Sequence, residues 1–350
     1  MKKILQYHQV QKKELLTGCE YYRSIIPHTA LQNQYGYAIQ STNTLRLTEE
    51  QLQSYDFVHL IRRDFNHHID RLNLLGVRTV FDMDDHWILY DQHALKKLWI
   101  EKEYAANCIE AMTKATFVTC STEVLAKEIR QYRDDVIVIP NCILPSEPQF
   151  EQVKYPQTEK LRIGWIGGTH HGIDLEILSE SMGKVWSDPE INDKIELVIG
   201  GYIMNHPIYQ RFLHCLTGGQ NKKAMANTIL LPPASIESFG YMYDSCHVML
   251  APLKNNLFNR CKSGLKVVEA GWKGKAVIAS DIEPYNQYEN VITVQERKNH
   301  KDWYKAIKHL VLNPDVVKDL QCKLYDEVTM KNNMFDHVCK LHEIYQTTKY

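Results

Sequence analysis

The chain has 350 residues, with 41 Lys and Arg against 42 Asp and Glu and a formal net charge of −1. That balance excludes a global electrostatic bias toward nucleic acid or an anionic membrane surface, and the length suits two hydrophobic cores better than one. No run reaches the roughly 18 apolar residues of a membrane-spanning helix, and the nine scattered cysteines form no CxxC pair, which points to free thiols in a reducing cytoplasm and away from a zinc ribbon or disulfide framework.

The apolar stretch after Lys2 and Lys3 is too short for a signal peptide, and Ile4–Tyr7 reads as a first strand. Gly18-Cys-Glu-Tyr-Tyr-Arg23 then opens a helix over Glu20–Asn33. Strands are expected at Tyr37–Gln40, Phe57–Ile61, Arg78–Phe81, Thr116–Thr119 and Val136–Ile139, with helices over Asn66–Leu75 and Thr122–Tyr132 between them. Such alternation implies a parallel sheet covered by helices. Arg62 and Arg63 stand at a strand's carboxyl end, where they suit an anionic partner. Asp82, Asp84, Asp85 and His86 cluster after the next strand. Carboxylates there can bind a metal or position a substrate hydroxyl; the alternative is an acidic turn that caps the following helix.

Pro140 to Lys160 is Pro-rich without helical period and reads as an interdomain linker. The alternation then restarts, with strands at Leu161–Ile166, Ile195–Ile199, Thr228–Leu231, Val248–Ala251, Ala276–Ala279 and Val291–Val294. Leu175, Leu178, Met182 and Val185 form one helical stripe. Gly164, Gly167 and Gly168 precede that helix without meeting the GxGxxG dinucleotide fingerprint. His170 and His171 in the same loop suit a phosphate or an exposed position. Met334–Gln346 reads as a last helix. Two doubly wound units bind ligands beyond their strands' carboxyl ends, so a cleft between two domains is the expected site.

The most informative stretch runs from Leu250 to Asp281. A buried strand ends near Pro252, a polar loop follows, and a helix opens at Ser263, a good N-cap whose free amides suit a phosphate. Lys262, Lys266 and Glu269 share a face if that helix begins one turn early. Two cations would then neutralise a diphosphate, and the carboxylate would accept from ribose hydroxyls. The alternative is a surface helix with an ordinary Lys–Glu pair. Gly264 in the first turn favours close approach of a ligand to the backbone.

The pattern N-x-F-N-R-x-K-S-x-L-K-x-x-E, here Asn256 to Glu269, resembles the donor-site signature of retaining glycosyltransferases with the two-Rossmann-domain (GT-B) architecture. The likeness is to the family related to bacterial polysaccharide and glycolipid glycosyltransferases, and the phrase Gly271-Trp-Lys-Gly-Lys-Ala-Val-Ile is similar to phage-encoded members. The resemblance implies an α/β chain of two Rossmann-like domains facing a cleft, with a C-terminal helix crossing back to the first. Residues 1–150 would bind the acceptor, 151–330 the nucleotide-sugar donor, and 331–350 would form the crossing helix.

By the same resemblance Glu269 is the second acidic residue of an E-x7-E motif and holds the ribose, while Lys262, Ser263 and Lys266 lie near the diphosphate. Gly167, Gly168, Gly264 and Leu265 complete the donor side. The first acidic position is Cys261, a departure that would make Asn256 or Asn259 a substitute contact to the sugar. Asp84 and His86 would be catalytic, and Gly18, Tyr22, Arg23, Asp85, His170 and His171 would line the acceptor side. The implied enzyme is a hexosyl- or pentosyltransferase acting with retention and needing no metal or other cofactor. Its acceptor would be a glycan, a lipid-linked sugar or modified DNA. A nucleotide-sugar epimerase on the same architecture, or a non-catalytic binding relative, are the alternatives.

Overall fold

The computed structural model describes residues 2–7, 17–44, 46–62, 66–152, 158–295 and 301–347. Its contacts gather into two compact units. One comprises Met1–Leu144, Asn256–Ser263 and Asn332–Tyr350, the other Pro145–Asn255 and Gly264–Lys331.

The first unit is built on strands β1 (Lys3–Tyr7), β2 (Ala38–Thr42), β3 (Phe57–Ile61), β4 (Arg78–Met83), β5 (Phe117–Cys120) and β6 (Val136–Val138). All pairings are parallel, in the order β2-β1-β3-β4-β5-β6. β3, Phe-Val-His-Leu-Ile, is buried at every residue, as a strand covered on both faces must be. The order reverses direction between β1 and β3, and ligand sites in such sheets lie at that switch point.

The helix expected over Glu20–Asn33 is a short turn at Gly18–Glu20, a π-turn at Tyr21–Ile25 and a helix at Ile26–Tyr35. Pro27 lacks an N–H, so the regular ladder cannot run through it, and the preceding residue, Ile26, donates to Tyr21 instead. Gly36, at φ 68°, ends the helix in the left-handed region. The last helix, Met334–Gln346, packs on Ile26–Tyr35. Its Tyr345 hydroxyl sits 3.0 Å from both His28 Nε2 and His59 Nδ1.

The second unit carries β7 (Leu161–Ile166), β8 (Ile195–Gly200), β9 (Thr228–Leu231), β10 (Val248–Ala251), β11 (Ala276–Ser280) and β12 (Ile292–Val294), all parallel, in the order β12-β11-β10-β7-β8-β9. This is the doubly wound order of dinucleotide-binding sheets, with its switch point between β7 and β10. Leu175, Leu178, Met182 and Val185 are buried as expected, but Leu175 lies on helix Gly172–Glu176, Met182 and Val185 on helix Ser179–Ser187, and Leu178 in the turn between them. Helix Leu265–Trp272 lies so close to helix Pro314–Lys331 that a Cβ at Gly271 would meet Val328 at 2.7 Å.

The stretch expected as a linker is packed where it is described. Cys142, Ile143 and Leu144 are buried in the first unit, and Ile143 bridges to Asn333. Pro148–Phe150 forms a short 3-10 turn in the second. There Gln149 accepts from Gly240 N and donates to the Ile236 carbonyl, and Phe150 meets Phe239 edge-on at 5.9 Å. Residues 153–157, including Pro156, lie outside the described residues.

Candidate functional site

In the second unit Gly167, Gly168 and Lys266 come together at the carboxyl end of β7. The strand runs Leu-Arg-Ile-Gly-Trp-Ile into Gly167 and Gly168. Lys266 reaches back from helix Leu265–Trp272 and donates from Nζ to the Ile166 carbonyl at 2.6 Å, with the ammonium 5.4 Å from the centre of the Trp165 ring. A Cβ at Gly167 would sit 2.8 Å from that ring and 3.0 Å from Lys266 Nζ, so a side chain there would press on both. One turn along the helix, buried Glu269 accepts from the Tyr243 hydroxyl at 2.5 Å. Burial, and then the Glu269 charge, push the Tyr243 phenol well above its ordinary range.

The loop after β7 is tied in by Asp174. One carboxylate oxygen lies 3.0 Å from His171 Nδ1, and the other accepts from Lys254 N, just past β10, at 2.9 Å. The loops on the two sides of the switch point are thereby joined. Tyr285, buried nearby, has its phenol raised by burial and then by the charges of Asp174 and Glu269. His170 is exposed and His171 half-buried.

The helix does not open at Ser263. It begins at Leu265 with Gly264 as N-cap, and that cap makes no side-chain hydrogen bond. Lys262 therefore precedes the helix, and the shared face with Lys266 and Glu269 does not form. The glycine at 264 is required by the protein itself, because a Cβ there would run into the Pro284 carbonyl and the Tyr288 ring. The Ser263 hydroxyl accepts from Asn141 Nδ2 at 2.7 Å. Lys262 Nζ lies 4.9 Å from the centre of the Phe258 ring.

Residues just before the helix belong to the first unit. Cys261, at the position where the resemblance implies a carboxylate, is fully buried in the apolar cluster of that unit. A charge there would be desolvated, which accounts physically for the thiol. Asn256 caps the turn Leu257–Arg260 by accepting from Asn259 N at 2.9 Å, and Asn259 is fully buried. The Asn256 side chain is thus engaged in local structure.

In the first unit Arg23 faces inward. Its guanidinium holds both oxygens of Asp82 at 2.8 Å and also donates to the Ile139 carbonyl and Asn141 Oδ1. Tyr22 is buried beside Tyr21. Gly18 starts its turn behind a capping box from Thr17 to Glu20. Arg62 pairs with Asp84 at 2.6 Å and Asp85 at 2.9 Å. Burial raises the Asp84 carboxyl, against the lowering pull of Arg62. His86 is buried, its Nδ1 accepting from Ile88 N at 2.9 Å, and burial lowers its pKa. Asp82 and Met83 complete β4, and no helix is capped by the acidic turn. Arg63 lies outside the described residues.

Sequence reasoning missed Tyr243, Asp174 and Asn141, the partners that orient Glu269, His171 and Ser263. Only Asp174 carried a local signal, three residues from His171; the other two meet their partners across long stretches of chain.

No family model and no curated protein matches the chain. Solved structures do. A sucrose-phosphate synthase from Thermosynechococcus elongatus is 12% identical, with a TM-score of 0.72 over 99% of this chain and 98% of that one. A glycosyltransferase from Rickettsia africae is 13% identical, with a TM-score of 0.68 over 99% and 98%. HepE from Anabaena, solved in complex with UDP and glucose, is 11% identical, with a TM-score of 0.69 over 99% and 100%. With its two parallel six-stranded sheets and near-complete coverage in each comparison, the chain has the GT-B fold of two Rossmann-like domains.

Proposed function

We propose that the chain is a glycosyltransferase that moves a hexose or pentose from a nucleotide-diphosphate donor to an acceptor, with retention of configuration. The observation that carries this reading is the placement of Lys266 and Glu269 one turn apart at the switch point of the second sheet. Lys266 is the cation that meets charge growing on the leaving diphosphate, with the amides of Gly168, Gly264 and Leu265 beside it. Lys262 and Ser263 act at the same diphosphate. Glu269, oriented by Tyr243, accepts from the ribose. Asp84 and His86 act at the acceptor hydroxyl with Asp85, while Gly18, His170 and His171 line the acceptor side.

The lysines bring the positive charge that a metal supplies elsewhere, so transfer needs no metal or other cofactor. The acceptor is a glycan or lipid-linked sugar in this reading, with modified DNA a further candidate, and the site of action is the cytoplasm. Among the described residues no helix is long and apolar enough to cross a membrane.

A panel of nucleotide sugars screened by thermal shift tests the reading, because a ligand that binds only the native state raises its apparent stability. A stabilising donor, followed by transfer to an added acceptor that survives EDTA, is the expected result. A stabilising donor that is only isomerised, with no acceptor present, makes the protein an epimerase. Absence of any stabilising nucleotide sugar overturns the assignment.

A further inference from the structure

At the carboxyl end of the first sheet a chain of hydrogen bonds runs from the interior to one partly exposed hydroxyl. Asp82, near the end of β4, accepts from Arg23 through both oxygens, at 2.8 Å each, and from the hydroxyl of Thr119, its neighbour on β5. The Arg23 guanidinium also donates to Asn141 Oδ1 at 2.8 Å, and Asn141 Nδ2 donates to Ser263 Oγ at 2.7 Å. Asp82, Thr119, Arg23 and Asn141 are buried, whereas Ser263 is half-buried, so the chain emerges at the serine. Ligands of doubly wound sheets bind beyond the strands' carboxyl ends.

The residue types fix the direction of every bond. A guanidinium only donates, so the Asn141 atom that it meets is the amide oxygen, and the atom on Ser263 is the amide nitrogen. That nitrogen only donates, so Ser263 Oγ accepts, and the serine's own proton cannot point at Asn141. Neither end of the amide is free to turn. Arg23 Nη1 is tied to the Ile139 carbonyl at 2.6 Å, and the Asn141 carbonyl accepts from Asn332 Nδ2 at 3.1 Å. A buried ion pair such as Arg23 with Asp82 gives little net stability over apolar packing, and fixing one arrangement is its best-attested use.

We propose that Asn141 is a positioning residue: held by Arg23, it keeps the Ser263 hydroxyl proton turned away from itself and available to ligand, so that Ser263 donates a hydrogen bond to a phosphate oxygen of the nucleotide-diphosphate donor. Phosphate oxygens only accept, so a hydroxyl held with its proton outward matches them. The phosphate rests on the glycosyltransferase reading; the direction of the hydrogen bonds does not.

The test is a double-mutant cycle read by calorimetry. UDP, GDP and ADP, each beside its own nucleoside, are titrated into wild type, Asn141→Asp, Ser263→Ala and the double variant. Asn141→Asp is near-isosteric, should keep the Arg23 contact, and presents Ser263 with an acceptor in place of a donor, so the hydroxyl turns its proton inward. Each single variant should weaken the diphosphate about tenfold or more, the worth of a hydrogen bond to a charged group, with nucleoside binding changed less than about twofold. In the Ser263→Ala background Asn141→Asp should cost less than about threefold further, because the hydroxyl it acts through is gone and only the added charge remains. Asn141→Ala frees the hydroxyl without reversing it; it should cost about 2–5-fold, again only where Ser263 is present, and it serves if Asn141→Asp does not fold. Equal losses for nucleoside and diphosphate, the same loss with and without Ser263, or wild-type diphosphate affinity in the folded variants overturn the proposal and leave the glycosyltransferase reading in place. Wild type that binds none of the diphosphates removes the glycosyltransferase reading, and the proposal with it.

Discussion

The Tyr243 hydroxyl donates a 2.5 Å hydrogen bond to Glu269 Oε2 in the interior of the second unit. The phenol is held protonated by burial and by the neighbouring carboxylate, so this donor persists across the working pH range. In the proposed donor reading the same carboxylate accepts from ribose hydroxyls. Glu269→Ala should weaken donor binding by about 2–3 kcal/mol and reduce the preference for ribose over 2′-deoxyribose donors. Tyr243→Phe should cost less, about 0.5–1.5 kcal/mol, because it disturbs orientation and leaves the charge in place. Titration calorimetry with both nucleotides measures this. Wild-type affinity in folded Glu269→Ala would remove Glu269 from the donor site.

Lys266 is expected to behave differently. In the proposed reading the charge it meets grows as the glycosidic bond breaks, so Lys266→Ala should lower kcat more than it weakens donor binding. Gly167→Ala should imitate it in part, since the added methyl would press on Lys266 Nζ and the Trp165 ring. Steady-state kinetics beside a donor-binding isotherm decide the matter. Equal losses in kcat and in affinity for both variants would mean that Lys266 serves ground-state binding alone.

Gly264→Ala is a stability prediction. Its Cβ would collide with the Pro284 carbonyl, and backbone gives way less readily than a side chain. A loss of about 1–3 kcal/mol is expected in denaturant unfolding of the second unit, typical of overpacking. A variant as stable as the parent would show that the turn after Ile282 moves at no cost.

Lys275 supplies a pH signature. It is fully buried, and burial lowers its pKa from the ordinary 10.5 to about 8 in spite of the Asp244 charge. Between pH 8 and 10.5 the unfolded chain therefore binds a proton that the folded chain does not. Stability contributed by this residue should rise with pH across that window, by up to about 1.4 kcal/mol per pH unit. Below pH 8 the lysine is a net cost. Lys275→Met should remove the dependence, so the variant is more stable than wild type near pH 7 and loses that margin by pH 10. Parallel stability profiles for the two proteins would contradict the shift.

Much of this protein is decided by local sequence. All twelve expected strands are present, several with the same ends, because apolar β-branched runs bounded by polar or glycine-containing turns admit little else. The last helix, Met334–Gln346, has the expected limits for the same reason: its apolar stripe has one period and Asn333 caps it. What the tertiary structure decided is the use to which individual side chains are put. Ser263 looks like a cap, yet Asn141 engages its hydroxyl, and the helix waits for Gly264 because Pro284 and Tyr288 fill the space a side chain would need. The resemblance implies that Arg23 lines the acceptor side, yet Asp82 draws it inside. Glu269 depends on Tyr243, 26 residues away. Secondary structure follows from the periodicity of near neighbours, whereas hydrogen bonds and close approaches between distant segments exist only once both sheets have brought those segments together.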